Sequence, residues 1–276
     1  TNSGDNFDKA GLTNGLSYAL RVAIPTPSTV DTEAEFRVAY PKGNSAPVEW
    51  VPINWNQSGT AQNVAARAAN TLGMNRVEDG AFDPQNPNDF YFVTTSDPGA
   101  LWRLRFVDVT QGITSAATLE LVLDGSEIPL NPSTTVGTNP SIHTPDNMTI
   151  DNAGHILIQE DPGNVTHVAR ILAYEIGTTK LASLADFTGG PYTPNGGPVH
   201  STIDEESSGI IPFDYVSSPA GTGTFLFNAQ IHRPPSGWPA DLVEGGQVLT
   251  MSVNWNRIFG PEAEVPEFPV AALALL

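Results

Sequence analysis

Residues 145–161 read PDNMTIDNAGHILIQED, and the fold is decided here. Pro145 to Asp151 is a short apolar strand opened by a carboxylate, Asp146. Asn152-Ala153-Gly154 follows, and Asn and Gly both tolerate the left-handed backbone that tight hairpins demand. His155 to Asp161 then runs as an almost unbroken apolar strand ending in polar residues, and Ala169 to Tyr174 supplies a third strand.

The same plan occurs twice more. Residues 76–83 (RVEDGAFD) lead through Pro87-Asn88-Asp89 to Phe90–Thr95 and Leu101–Phe106; residues 204–211 (DEESSGII) lead to Thr224–His232 and Gly246–Val253. A small sheet of this kind cannot bury both faces alone. Stacking such units round an axis solves the problem, and a repeat of several tens of residues marks solenoids and propellers. The apolar second strands are expected between neighbouring units, buried on both faces. The same strands could build a two-sheet sandwich, but the repeat favours an all-β protein of the β-propeller class.

Upstream, Leu20–Ile24, Glu35–Tyr40 and Val48–Trp55 read as strands of one further blade. Thr60 to Leu72 reads as the one convincing helix, capped by Thr60 and stopped by Gly73. Three or four blades fall short of a usual propeller of about six. Residues 1–260 are therefore expected to be a β-propeller lacking N-terminal blades.

Composition agrees. Gly (25) and Pro (24) make up about 18% of the chain against a usual ~12%, which suits many short strands and turns. The net charge is −18, from 12 basic and 30 acidic residues. Such a surface repels phosphate backbones and anionic lipid, so nucleic acid is not an expected partner. With so few cations, carboxylates that converge must be solvated, protonated or neutralised by a metal. There is no cysteine, which removes disulfides, thiolate metal sites and a Cys nucleophile.

In a propeller the first strand of each blade lines the central channel. The repeat sets Glu78, Asp146 and Glu206 at matching places, with Asp161, Glu160, Gln230 and His232 returning towards the same mouth. Carboxylates with the amide oxygens of Asn147 and Gln230 form an oxygen-rich set of the kind calcium prefers. Arg76 lies two residues from Glu78, where a guanidinium can clamp a phosphate oxygen or simply pair with Glu78. His232 is read as a ligand, a proton carrier or a structural histidine. Ser207-Ser208-Gly209 suggests a serine nucleophile only faintly, since no His is paired with it by spacing.

The blocks RVEDGAFDP (76–84), FYFVTTSD (90–97), LWRLRF (101–106), PDNMTIDNAGHILIQEDPGN (145–164), DEESSGII (204–211), FLFNAQIH (225–232) and LVEGGQVL (242–249) resemble the PhoX-like alkaline phosphatase family, in the order of its C-terminal half. The resemblance implies a six-bladed propeller, exported from bacteria to the periplasm, cell surface or medium. It implies hydrolysis of phosphomonoesters with calcium and, in some members, iron. Arg76 then matches a substrate-clamping arginine, Glu78 a metal-binding glutamate, and Asp146-Asn147 and Glu206 acidic blocks facing the channel. The expected site is thus Arg76 and His232 for catalysis, and Glu78, Asp146, Asn147, Asp161 and Glu206 for metal. The expected substrate is a phosphorylated small molecule. Iron-type members use a cysteine ligand, absent from this chain. The alternative is a non-catalytic, calcium-stabilised surface propeller.

Residues 261–276, PEAEVPEFPVAALALL, read as an acidic Pro-rich linker and a short apolar run. They resemble a truncated bacterial sorting tail of the Pro-Glu-Pro type, which implies envelope anchoring through this tail; the alternative is a terminal strand or a frayed tail.

Overall fold

The computed structural model describes residues 15–23, 29–96, 98–126, 142–161, 169–186, 205–213, 219–231, 241 and 245–260. Among the described residues strand dominates helix, 52% against 15%, which makes them mostly β. The strands are β1 (Ser17–Val22), β2 (Ser45–Ile53), β3 (Val77–Phe82), β4 (Asp89–Thr94), β5 (Ala100–Phe106), β6 (Ala117–Asp124), β7 (Pro145–Ile150), β8 (His155–Glu160), β9 (Arg170–Glu175), β10 (Leu181–Asp186), β11 (Glu206–Pro212), β12 (Thr222–Ile231) and β13 (Gly245–Asn254). They form three antiparallel sheets, ordered β1-β2-β6-β5-β4-β3, β10-β9-β8-β7 and β11-β12-β13.

Each repeat unit is one meander, and its first strand lies at a sheet edge. The three edges meet: β3 packs against β7, and β7 against β11. Between the first two sheets Tyr91, Val93 and Leu101 pack on Met148, Ile156, Ile158 and Leu172. On the opposite side of β8, Leu157 joins Ile171, Ile210, Phe225 and Trp255. A strand whose alternate residues enter two cores is buried on both faces, and Ile156, Leu157 and Ile158 are each 0% exposed. Their burial stabilises by roughly 1.5–3 kcal/mol apiece. This is the environment that the unbroken apolar run of residues 155–160 requires.

Several sequence-based expectations are corrected. The meanders have a fourth strand in the first two sheets, β6 and β10, beyond the three read from the repeat. Residues 17–53 build no separate blade, because β2 pairs with β6 and extends the first sheet. Residues 35–40 are not a strand but lie in helix α1 (Glu33–Ala39) and its C-cap, Tyr40. Alternation of Phe36, Val38 and Tyr40 imitated a strand, yet Val38 is 82% exposed while Phe36 is buried against Trp102. Capping decides the matter. Thr32 Oγ1 accepts the Glu35 N–H at 3.3 Å, and Glu35 Oε2 accepts the Thr32 N–H at 3.2 Å, a reciprocal capping box.

Helix α2 (Gly59–Ala68) is where a helix was expected, but its cap is Ser58, not Thr60. It ends at Asn70 rather than Gly73: Asn70 has φ 54°, and the N–H groups of Asn70 and Thr71 close back onto the carbonyls of Arg67 and Ala66. That is a Schellman closure with Asn in the left-handed position. A third helix, α3 (Trp255–Phe259), follows β13 directly. Residues 261–276, with the tail assigned to them, lie outside the described residues.

Candidate functional site

The first strands of sheets one and two begin with the same unusual backbone. Arg76, before β3, has φ 57°, and Thr144, before β7, has φ 36°. Neither is glycine, and a left-handed residue of this kind stores strain that surrounding bonds must hold. The holding bonds match too. The Thr95 N–H, just past β4, donates to the Arg76 carbonyl at 3.0 Å, and the Asp161 N–H, just past β8, donates to the Thr144 carbonyl at 2.9 Å. Thr144 Oγ1 adds a short bond to the Asp161 carbonyl. Arg76 thus corresponds to Thr144, Thr95 to Asp161, and Glu78 to Asp146.

Both strands then bulge at the acidic residues. The register of β3 on β4 slips between Val77 and Gly80, across Glu78-Asp79; that of β7 on β8 slips between Pro145 and Asn147, across Asp146. A bulge re-aims its side chains away from the regular alternation. The result is electrostatic crowding. Burial first, then the charges of Glu78, Asp161 and Asp79, push the Asp146 carboxyl above the usual aspartate range, with Arg76 acting the other way. Arg76, Glu78, Asp79 and Asp161 therefore all act on Asp146.

Arg76 reaches Glu78 by a different route from the one expected. It is not on the strand, so the two do not share a strand face; the left-handed turn brings Nη2 to 3.2 Å from Glu78 Oε1. The guanidinium is 70% exposed, so it pairs with Glu78 while remaining open to solvent. Asn147 Oδ1 is buried without a hydrogen-bond partner. Glu206 is half-buried at the start of β11, opposite Gln230. The bulge of β11 falls later, between Ser208 and Ile211, so Glu206 does not occupy the bulge position held by Glu78 and Asp146. His232 lies outside the described residues. Among the described residues no three of His, Asp and Glu stand close enough to hold a metal ion.

Glu160 is removed from the expected mouth. Its carboxylate is 1% exposed and accepts Arg170 Nε at 2.8 Å and Nη2 at 2.6 Å, together with the backbone N–H groups of His143 at 3.0 Å and Arg170 at 3.2 Å. A buried bidentate arginine neutralises it. Sequence reasoning also missed a second buried pair. His155 Nδ1 lies 2.9 Å from Asp151 Oδ2, and the ring stacks on Trp255 at 3.9 Å between centroids, joining the second meander to α3. The local signal was Asp151 and His155 flanking one turn; the distant Trp255 left none. Of the two serines, Ser207 is buried at 3% exposure and Ser208 is half-buried.

No protein-family model matches the chain, and neither curated proteins nor solved structures give a match.

Proposed function

We propose that the chain is part of a secreted β-propeller whose first strands present an acidic mouth to calcium, and that this mouth serves hydrolysis of a phosphomonoester. The observation that carries the reading is the crowding of Glu78, Asp79 and Asp161 about Asp146 at two matched, strained strand starts, with Arg76 the basic group acting on it. Carboxylates are not gathered in this way for stability, since each raises the cost of ionising the next. A divalent cation reverses that cost.

The propeller reading is supported by the meeting of three sheet edges, each the first strand of its meander. Calcium is favoured over iron by donor chemistry: carboxylates, the orphaned Oδ1 of Asn147, and no cysteine in the chain. Glu78, Asp146, Asn147 and Asp161 would hold it, with Glu206 joining from β11. Bound there, the cation would supply Lewis-acid polarisation of the phosphoryl group. Arg76 would orient a phosphate oxygen with its exposed guanidinium edge.

The second reading is a calcium-stabilised propeller without catalysis. One observation favours it: Arg76 is paired with Glu78, which engages the group that would clamp a phosphate. The test is calcium titration by calorimetry together with p-nitrophenyl phosphate hydrolysis. Binding with EDTA-sensitive hydrolysis that Arg76→Ala abolishes supports the enzyme. Binding without hydrolysis supports the second reading, and no binding overturns both.

A further inference from the structure

We infer that Asp79 is the positioning residue of this mouth: it ties the bulge of β3 to the backbone of β7 and so fixes how closely Glu78 approaches Asp146. The inference rests on the reading of the mouth as a ligand site. Its physical origin is the edge position of the first strands. An edge strand turns one row of N–H groups away from its own sheet, and each needs an acceptor when a neighbour covers it. The Met148 N–H of β7 finds that acceptor in Asp79 Oδ2, at 3.0 Å. The other oxygen, Oδ1, accepts the Gly80 N–H at 2.7 Å. Both carboxylate oxygens are thereby engaged, one on each side of the gap between sheets.

Glu78 and Asp79 are adjacent, so the bulge divides their tasks. Asp79 is spent on the backbone of β7, and Glu78 is left to Arg76 and the mouth. The next pair of sheets repeats the device with a neutral side chain. Gln159 Oε1, fully buried on β8, accepts the Ile210 N–H at 3.1 Å, and Ile210 lies within the bulge of β11. Two independent edges thus use a side-chain oxygen of the preceding sheet to hold the N–H of the following first strand.

The contrast identifies what the carboxylate adds. A glutamine suffices to tie sheets together, so stability alone does not call for a charge beside Asp146. A carboxylate can accept two N–H groups at once, one from each strand, whereas an amide has one oxygen. Asp79 therefore fixes the β3 bulge and the β7 backbone through one rigid planar group.

The experiment compares wild type with Asp79→Asn and Asp79→Glu by amide hydrogen exchange and calcium titration. Asp79→Asn removes one acceptor at nearly constant shape; Asp79→Glu keeps the charge but displaces it. In Asp79→Asn whichever of the Met148 and Gly80 amides loses its oxygen is expected to exchange about tenfold faster, with Ile156 and Leu157 unchanged, as follows from losing one hydrogen bond. Calcium affinity should fall about tenfold or more in both variants. Unchanged protection at both Met148 and Gly80 overturns the tie. Calcium binding that survives in Asp79→Glu and is lost in Asp79→Asn reduces Asp79 to a charge and overturns the positioning role. Should Asp79→Asn not fold, exchange and titration of Asp79→Glu decide alone. Should wild type bind no calcium, the functional reading falls, and exchange at Met148 and Gly80 still decides whether the tie exists.

Discussion

Replacing Arg170 by Met tests whether the second meander is held by a buried ion pair. Met retains most of the apolar stem but removes the guanidinium whose Nε and Nη2 lie 2.8 and 2.6 Å from the Glu160 carboxylate. Both side chains are nearly inaccessible, at 3% and 0% exposure, so water cannot replace the lost partner. Breaking one side of such a pair costs about 3–5 kcal/mol. Two backbone N–H groups, of His143 and Arg170, still serve the stranded carboxylate, which places the expected cost near the lower limit, about 3 kcal/mol. Glu160→Gln strands the guanidinium instead and should cost about as much. The double variant carries no buried charge and should lose only about 1–2 kcal/mol, from the N–H left with a poorer acceptor. Urea unfolding followed by circular dichroism, completed as a double-mutant cycle, should therefore give a coupling of about 3 kcal/mol or more. For a chain of this length each single change should lower the thermal midpoint by on the order of 10 °C. Additive single effects below about 1 kcal/mol would refute the reasoning, since they would mean that the pair is hydrated in solution. The cycle also bears on the mouth. If Arg170 already neutralises Glu160, then Glu160→Gln leaves calcium affinity unchanged.

Three further outcomes are expected. Asp146→Asn should stabilise the calcium-free protein slightly, by at most about 1 kcal/mol given its half-exposure, while weakening calcium binding. The sign follows from the raised folded pKa of Asp146: its contribution is favourable below the unfolded value and is lost as pH rises through the folded one, so at neutral pH the charged group opposes folding. Tyr174 is pushed up from 10.0 to about 12, mainly by burial, and Tyr91 is also raised. Absorbance at 295 nm should show a tyrosine step above the ordinary value, with stability falling between pH 10 and 12 as the unfolded state releases its proton first. Gly80→Ala should destabilise by about 1–3 kcal/mol in a urea titration, because its Cβ would stand 2.6 Å from Phe90 Cζ and 2.8 Å from the Tyr91 carbonyl oxygen.

What could be read from the sequence was what is local or periodic. The apolar runs of β4 and β8 announced burial on both faces, and Asn152-Ala-Gly154 announced its turn, with Gly154 at φ 86°. The helix at Glu33 was also legible in principle, since Thr32 and Glu35 stand at capping-box spacing; the alternating Phe36 and Val38 concealed it. Cap choice at Ser58 over Thr60 was a matter of two residues. Pairings between distant segments left no local trace. Arg170 gives no sign that it meets Glu160, nor His155 that it meets Trp255, because both contacts depend on how the meanders stack. The bulge of β11, which falls after Glu206 rather than at it, left no trace for a related reason: a bulge shifts the register by one residue, and its place in β11 depends on β12.

The placement of cations gives the argument for the mouth its physical weight. In a chain with 12 basic and 30 acidic residues, basic groups are scarce, and where they are placed is informative. Arg21 meets Glu49, Arg37 meets Asp124, Arg103 meets Glu120, Arg105 meets Asp89, Arg170 meets Glu160 and Lys180 meets Glu175. All of these pairs lie away from the first strands. At the first strands the described ion pair is that of Arg76 with Glu78, and Arg76 is also the basic group acting on Asp146. Among the described residues, two strained strand starts and two bulges set carboxylates near one exposed guanidinium, which pairs with Glu78 and acts on Asp146. Surface solubility needs no strain and no bulge, since charges dispersed on loops achieve it without mutual repulsion. A cost built into backbone geometry, at matched places in two repeats, is what a site awaiting a cation from solution would be expected to carry.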